Sequence, residues 1–297
     1  MNRNLPIDIN ESLEENVKYH SVGFSLIPYI IEYNFERNDF MPLHWHEELQ
    51  ISWVYEGELD FLIDGNSVTL DEMEILFINR KKFHSSTAMK NDAKTLCLNF
   101  SLDFLHPKIL DDYILPILQN PSFTYFKLPM SNKFSKYFHT ILDEIPKNSN
   151  KLVKESTSNN YFHTVNLINQ IMEEIVYQFE ENNYSLAESP DFDYLNKLLS
   201  YIHQNYHQKI TIIELTKHAH VSKTFCNQLF KKYTKLSPIN YVKMYRLQMA
   251  QELLISTNYS ITRISEMCGF STISYFIECF RLNYKMSPLK FRQRFQN

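Results

Sequence analysis

The chain has 297 residues, 44% of them hydrophobic, which is too long for one small domain and rich enough in apolar side chains to bury a sizeable core, so two domains are expected. Its net charge of −4 conceals a partition: residues 1–190 sum to −13 and residues 191–297 to +9. A basic C-terminal module beside an acidic N-terminal one is the footprint of a polyanion-binding domain joined to a domain that avoids polyanions, the alternative being a solvated basic surface without a partner.

No apolar run follows Met1 and no stretch approaches the ~18 uninterrupted apolar residues of a membrane span, so a soluble, cytoplasmic protein is expected. Cys97, Cys226, Cys268 and Cys279 are isolated, without zinc-site spacing, and read as buried fillers in a reducing compartment.

Residues 40–101 carry the period-two pattern of half-buried strands: Leu49, Ile51, Trp53 and Tyr55 alternate with Gln50, Ser52 and Glu56, and Leu59, Phe61 and Ile63 with Asp60 and Asp64. Asp64-Gly65 supplies a tight hairpin, Ile75 to Ile78 is a continuous apolar run, and Leu96, Leu98 and Phe100 resume the alternation. Strands this short and evenly spaced predict a small barrel or sandwich.

From about residue 161 the period becomes helical, with Val165, Ile168, Ile171, Met172, Ile175, Val176 and Phe179 on one side and Glu173, Glu174, Glu180 and Glu181 on the other. Such a stripe can cap the barrel core or pair with its twin in a homodimer, and the two uses are compatible. Residues 184–193, with Ser189-Pro190-Asp191, lack periodicity and read as a linker. The expected division is 1–160 for the barrel, 161–183 for an amphipathic dimerisation helix, 184–193 for the linker and 194–297 for a helical domain.

That last domain repeats itself at a spacing of fifty. Phe230-Lys231-Lys232-Tyr233 with Lys235-Leu236-Ser237-Pro238-Ile239 and Tyr241 is answered by Phe280-Arg281 with Lys285-Met286-Ser287-Pro288-Leu289 and Phe291. Each copy reads as a helix-turn-helix. In the first, Ile212, Leu215 and Ala219 face inward, Ser222 caps the next helix, and Phe225, Leu229 and Phe230 point to the core. The opposite face offers Lys223, Thr224, Asn227, Gln228 and Lys231, an inventory suited to base and phosphate contacts in a major groove, although any polar helix face could look like this. In the second, Gly269 suits the turn, Ser271 is the expected cap, and Thr272, Ile273, Ser274, Ile277, Glu278 and Arg281 are exposed. This less polar face should read thymine methyls or contribute shape and backbone contacts, leaving the first copy to dominate affinity. Ser237 and Pro238 open a connecting helix to about Ser256, roughly 30 Å long and close to one turn of B-DNA.

Ser222 to Tyr241, Arg246-Leu247, Ala250, and Cys268-Gly269-Phe270-Ser271 through Ser287-Pro288 resemble the DNA-binding domain of the AraC/XylS family of transcription regulators over about residues 195–295. The resemblance implies an α+β protein of two domains, an all-α double helix-turn-helix following a cupin-like barrel, that binds double-stranded promoter DNA and usually activates transcription through RNA polymerase. Lys235 and Lys285 stand where the family usually has glycine, and Thr216 and Ser265 where alanine is common.

His44-Trp45-His46, Gln50, Gly57 and His84 resemble the cupin metal motif, with Gln50 in the acidic ligand's place, Met73 for a turn glycine and Arg80 for a proline. A neutral amide is a poor substitute for a carboxylate, so neither a metal nor another cofactor is expected, and the histidines should line a cavity mouth or bond to barrel backbone. By resemblance to sugar-sensing members, His44, His46, Gln50, Trp53, Tyr55 and His84 are candidates for an effector pocket that takes a sugar or small polar metabolite, with Trp45 equally eligible. Which of the alternating residues face inward stays open, because a one-residue slip exchanges the faces. The expectation is a non-enzymatic, effector-responsive regulator; the alternatives are a cupin oxygenase or isomerase tethered to DNA, and an architectural DNA-binder that needs no ligand.

Overall fold

The computed structural model describes residues 9–10, 13–15, 17, 26–120, 123–145, 153–155, 162–182 and 191–296. They fall into two compact units, one within Glu15–Ser189 and one within Pro190–Asn297 together with Met1–Glu14.

The first unit is built on β1 (Leu26–Tyr33), β2 (Phe40–His44), β3 (Leu49–Glu56), β4 (Leu59–Ile63), β5 (Asn66–Leu70), β6 (Glu74–Ile78), β7 (His84–Ala88), β8 (Ala93–Phe100), β9 (Tyr125–Pro129) and β10 (Val153–Glu155). They form two antiparallel sheets, ordered β10-β1-β8-β3-β6-β9 and β2-β7-β4-β5. Asp64 and Gly65, at φ of 43° and 83°, make the two-residue β4–β5 turn, whose twist matches that of the strands it joins.

The central strands β3 and β8 of the larger sheet are buried on both sides, and the two sides differ in chemistry. Leu49, Ile51 and Trp53 of β3 and Leu96, Leu98 and Phe100 of β8 join an apolar core with Phe134, Phe138 and Ile141. The last three come from α3 (Asn132–Asp143), and the same core takes Ile114, Ile117 and Leu118 from the run α1 (Pro107–Ile109), a π-helical turn (Leu110–Ile114) and α2 (Leu115–Leu118). The intervening residues Gln50, Ser52, Thr95, Cys97 and Asn99 are all buried on the opposite side. On that side Gln50 Oε1 lies 3.1 Å from His84 Nε2 on β7, and the Tyr33 hydroxyl on β1 lies 2.7 Å from Ser86 Oγ on β7.

In α4 (Phe162–Asn182), Leu167, Ile168, Ile171, Met172 and Ile175 are buried in that apolar core, with Val165, Val176 and Phe179 packed against it. The stripe thus covers the helix-facing side of the six-stranded sheet, one of the two compatible uses expected of it. Residues 184–190 of the expected linker lie outside the described residues, and 191–193 open a helix instead.

The second unit is helical: α5 (Asp191–Asn205), α6 (Ile212–Ala219), α7 (Lys223–Thr234), α8 (Pro238–Ser256), α9 (Ile261–Met267), α10 (Ile273–Tyr284) and α11 (Pro288–Phe295). Leu195, Leu198, Leu199, Ile202, Leu215, Ala219, Cys226, Leu229 and Phe230 are buried in the first half, where Phe225 is only partly covered and packs edge-on against Tyr194. Leu247, Ala250 and Leu254 of α8 enter the second core with Ile264, Cys268, Phe276, Phe280 and Phe291. Because α8 packs against α7 as well as α9 and α11, it buries residues around its circumference and acts as the strut between the halves.

Candidate DNA interface and barrel site

The two halves of the helical unit share one frame. Thr216 O accepts from Val221 N at 3.1 Å and Ser265 O from Phe270 N at 3.0 Å, a spacing of 49 residues. Ser222 and Thr272 cap α7 and α10 by accepting from the backbone N–H groups of Phe225 and Tyr275, a spacing of 50. The second turn is thus one residue longer. That insertion corrects the expected cap: Ser271 belongs to the turn, and Thr272 takes the capping position with φ −146° and ψ 150°. Gly269, at φ 72°, lies against α5's C-terminal turn, where a Cβ would meet Tyr206 O at 2.6 Å and His207 O at 2.7 Å.

In this frame Lys223, Thr224, Asn227, Gln228 and Lys231 correspond to Ile273, Ser274, Ile277, Glu278 and Arg281, and all ten are exposed. Thr272 matches a cap rather than a reading position, and its hydroxyl is engaged by backbone. Asn227 Nδ2 donates to Lys223 O at 2.8 Å, a bond its amide must exchange to read a base. Exposed Tyr275 and Leu282 extend the apolar face of α10. Seven residues apart on α10, they carry a helical spacing that in the sequence reads as core rather than surface.

Arg246, part of the pattern that carries the resemblance, is a positioning residue. Its guanidinium donates to Tyr206 O at 2.7 Å and Gln208 O at 2.6 Å, fixing α8 to the end of α5. At the other end of that unit Lys232 Nζ and the Tyr233 hydroxyl both donate to Asp191 Oδ2, at 2.7 and 3.2 Å, tying α7 to the start of α5.

In the first unit the structure brings together four of the six pocket candidates. His44, His46, Gln50 and His84 are buried between the sheets, with imidazole centroids 4.2–5.9 Å apart. Each Nδ1 donates to a backbone carbonyl: His44 to Pro42 O at 2.7 Å, His46 to Glu48 O at 3.0 Å and His84 to Lys82 O at 2.8 Å. Gln50 Oε1 lies 3.1 Å from both His46 Nε2 and His84 Nε2, while its Nε2 donates to Ser52 Oγ at 2.8 Å. Burial holds all three imidazoles below their ordinary pKa, taking His44 down to about 3, and for His44 and His84 the neighbouring histidines add to the effect.

Trp53 and Tyr55 are on the other side of β3. Trp53 packs on Phe138 at 5.2 Å between centroids and donates Nε1–H to Glu72 O, and Tyr55 packs against the same apolar core. The register places them among the helices, so they do not share a cavity with the histidines. Trp45 is buried, and its carbonyl accepts from Glu15 N at 2.8 Å. That strand-like contact delivers Glu15, absent from the sequence expectations, to the histidines: its Oε2 lies 3.6 Å from His44 Nε2 and accepts from Asn99 Nδ2 at 3.4 Å.

A double sheet with a polar interior and a duplicated helix-turn-helix in one chain define a DNA-binding transcription regulator that carries its own ligand-binding domain. Residues 27–158 match the AraC-like ligand binding domain and residues 215–294 a helix-turn-helix domain, and the chain belongs to the AraC family. It is similar to the HTH-type transcriptional regulator YdeC of Bacillus subtilis (strain 168), at 27% identity over 96% of this chain and 97% of that one. The regulator YdiP of Escherichia coli (strain K12) is 25% identical over 86% of this chain and 82% of its own length. A solved structure of ToxT from Vibrio cholerae superposes with a TM-score of 0.47 at 11% identity, covering 92% of this chain and 100% of that one. The DNA-tethered enzyme is set aside, since the ligand-binding family model and the relatives YdeC and YdiP are those of transcriptional regulators. Among the described residues no helix is long and apolar enough to cross a membrane.

Proposed function

We propose that the chain is a cytoplasmic, homodimeric activator in which α7 and α10 enter successive major grooves of promoter DNA and a small polar metabolite or sugar, bound between the sheets, controls how the DNA modules of the dimer are set. The observation that carries this reading is the shared frame of the two halves, which presents Lys223, Thr224, Asn227, Gln228 and Lys231 in the same manner as Ile273, Ser274, Ile277, Glu278 and Arg281. The charge of +9 on residues 191–297 supports polyanion binding. The strut α8, 19 residues long, spans about 28 Å, close to one duplex turn.

The chemical asymmetry of the halves supports unequal roles. The amides and lysines of α7 suit purine edges and phosphates, whereas Ile273 and Ile277 suit thymine methyl groups. On the effector side, the buried polar set His44, His46, Gln50 and His84 supplies directional groups. Contact with RNA polymerase belongs to the same reading. Association of two copies belongs to the same reading, with the exposed side of α4 available beside the stripe that covers the sheet.

Selection of bound duplexes from a random library tests the DNA part. The expected motif has two blocks one helical turn apart, the block read by α7 carrying more information; a single short block would contradict it. For the effector part, a panel of sugars and polar metabolites is expected to contain a compound that raises the melting temperature of the full chain.

A further inference from the structure

The tail of the first half of the helical unit is built into the second. α5 ends at Asn205, and the turn that follows it, Tyr206-His207-Gln208, is held by two elements at once. From the middle of α8, Arg246 donates Nε–H to Tyr206 O and Nη2–H to Gln208 O. From the turn between α9 and α10, Gly269 approaches so closely that a Cβ there would stand 2.6 Å from Tyr206 O. The Tyr206 ring itself packs against the second core, edge-on to Tyr245 at 5.3 Å between centroids. Three residues earlier in α5, His203 stacks on Tyr245 at 3.8 Å, and its Nε2 lies 3.0 Å from the Tyr241 hydroxyl.

Two bodies joined by a single helix can twist and bend about it, and a second, independent connection removes that freedom. α8 is the first connection. The Tyr206–Gln208 turn is the second, since it continues α5 yet touches both α8 and the turn that carries α10. Arg246 closes the loop. Carbonyls at a helix end lack intrahelical donors and carry its negative pole, and the planar fork of a guanidinium reaches two of them in a fixed direction. An ammonium, a point donor on a flexible stem, serves one at a time.

We propose that Arg246 and the Tyr206–Gln208 turn set the distance and angle between α7 and α10, so that this chain selects the spacing between its two DNA blocks as well as their sequence. The inference rests on the reading that both helices enter one duplex. One base pair added or removed between the blocks displaces one of them by about 3.4 Å and turns it by roughly 35° about the duplex axis. A frame held at two points resists that change, whereas a frame held by α8 alone twists toward it. Arg246 is thus a positioning residue for spacing, acting through the α5 turn and not through DNA.

The test measures binding of the full chain to the duplex obtained by selection, to duplexes with one base pair added or removed between the blocks, and to a duplex carrying the α7 block alone. The wild-type chain should lose about tenfold or more on either change of spacing. Arg246→Met, which keeps a long apolar stem and removes the fork, should cut that loss to about threefold or less, with affinity for the lone block and the salt slope unchanged. Arg246→Lys should fall between. Circular dichroism reports whether each variant is folded, and the Lys variant decides alone if the Met variant is not. Folded variants that keep the wild-type spacing loss would overturn the proposal. So would equal weakening on every duplex, the mark of a merely structural role, or a salt slope lowered by about one, the mark of a phosphate contact. A wild-type chain that needs both blocks but is indifferent to their spacing would overturn it too. Wild-type binding to the lone block as tight as to the two-block duplex would instead overturn the two-groove reading beneath it.

Discussion

Lys235 and Lys285 end α7 and α10 in the same left-handed conformation, with φ of 59° at each. Each ammonium folds back onto its own helix, Lys235 Nζ donating to Lys232 O at 3.3 Å and Lys285 Nζ to Leu282 O at 3.0 Å. A residue with a Cβ pays about 1 kcal/mol to hold this conformation, and an exposed bond returns only part of that. Lys235→Gly and Lys285→Gly should therefore each stabilise the helical unit by roughly 0.5–1 kcal/mol, read as an upward shift of its thermal midpoint.

Gly269 should tolerate no side chain. An added Cβ would sit 2.6–2.7 Å from the backbone of Tyr206 and His207, and φ of 72° is itself unfavourable with a Cβ. Gly269→Ala should destabilise the helical unit by about 2 kcal/mol or more in denaturant titration. His220 holds the matching place after α6 at φ 55°, so His220→Gly should act in the opposite direction.

The buried thiol of Cys268 gives the helical unit an alkaline limit. Burial raises it from 9.0 to about 12, and burial also raises the hydroxyl of Tyr284, which donates to Gln251 Oε1 at 2.7 Å. Both groups are protonated in the native and unfolded states at neutral pH. Above pH 9 the unfolded thiol loses its proton while the native one keeps it, so stability falls between pH 9 and 12 by about 1.4 kcal/mol per pH unit from this group. Tyr284 adds to the loss above pH 10. Denaturant midpoints across this range should show the decline, and Cys268→Ala should flatten its onset.

Ile171 separates the two uses of the α4 stripe. It is fully buried in the core of the first unit, so Ile171→Ala should cost about 2–5 kcal/mol of that unit's stability. Sedimentation at concentrations where the protein remains folded should find the association state unchanged.

Much of this architecture was legible in the residues. The alternation around Leu49 to Glu56, the Asp64-Gly65 turn, the Pro238–Ser256 strut and the repeat at fifty are local patterns, and the structure carries each of them. Features that need a third dimension were not legible. Alternation in β3 shows that its two sides differ, yet both sides are buried, so nothing local reveals that Trp53 packs under helices while Gln50 faces histidines. Cys97 and Asn99 alternate with Leu96, Leu98 and Phe100 as plainly as any strand, but the polar members of a strand ordinarily read as solvent-facing. Thr272 replaced Ser271 as cap because one inserted residue breaks the 49-residue spacing inside a turn, where either hydroxyl could serve. Glu15 reaches His44 through a backbone contact with Trp45 that leaves no sequence signature.

Single substitutions on α7 should divide by type. Asn227→Ala should relax selectivity at one base pair at a cost of about 1–3 kcal/mol, whereas Lys231→Ala should weaken all duplexes evenly and lower the salt slope by about one.

Simultaneous use of both recognition helices is tested most directly by hydroxyl-radical protection of a bound promoter fragment. Two protected patches are expected on one face of the duplex, about 10 base pairs apart, with Lys231→Ala weakening one and Arg281→Ala the other. A single patch no longer than one helix can cover, unaffected by Arg281→Ala, would contradict it.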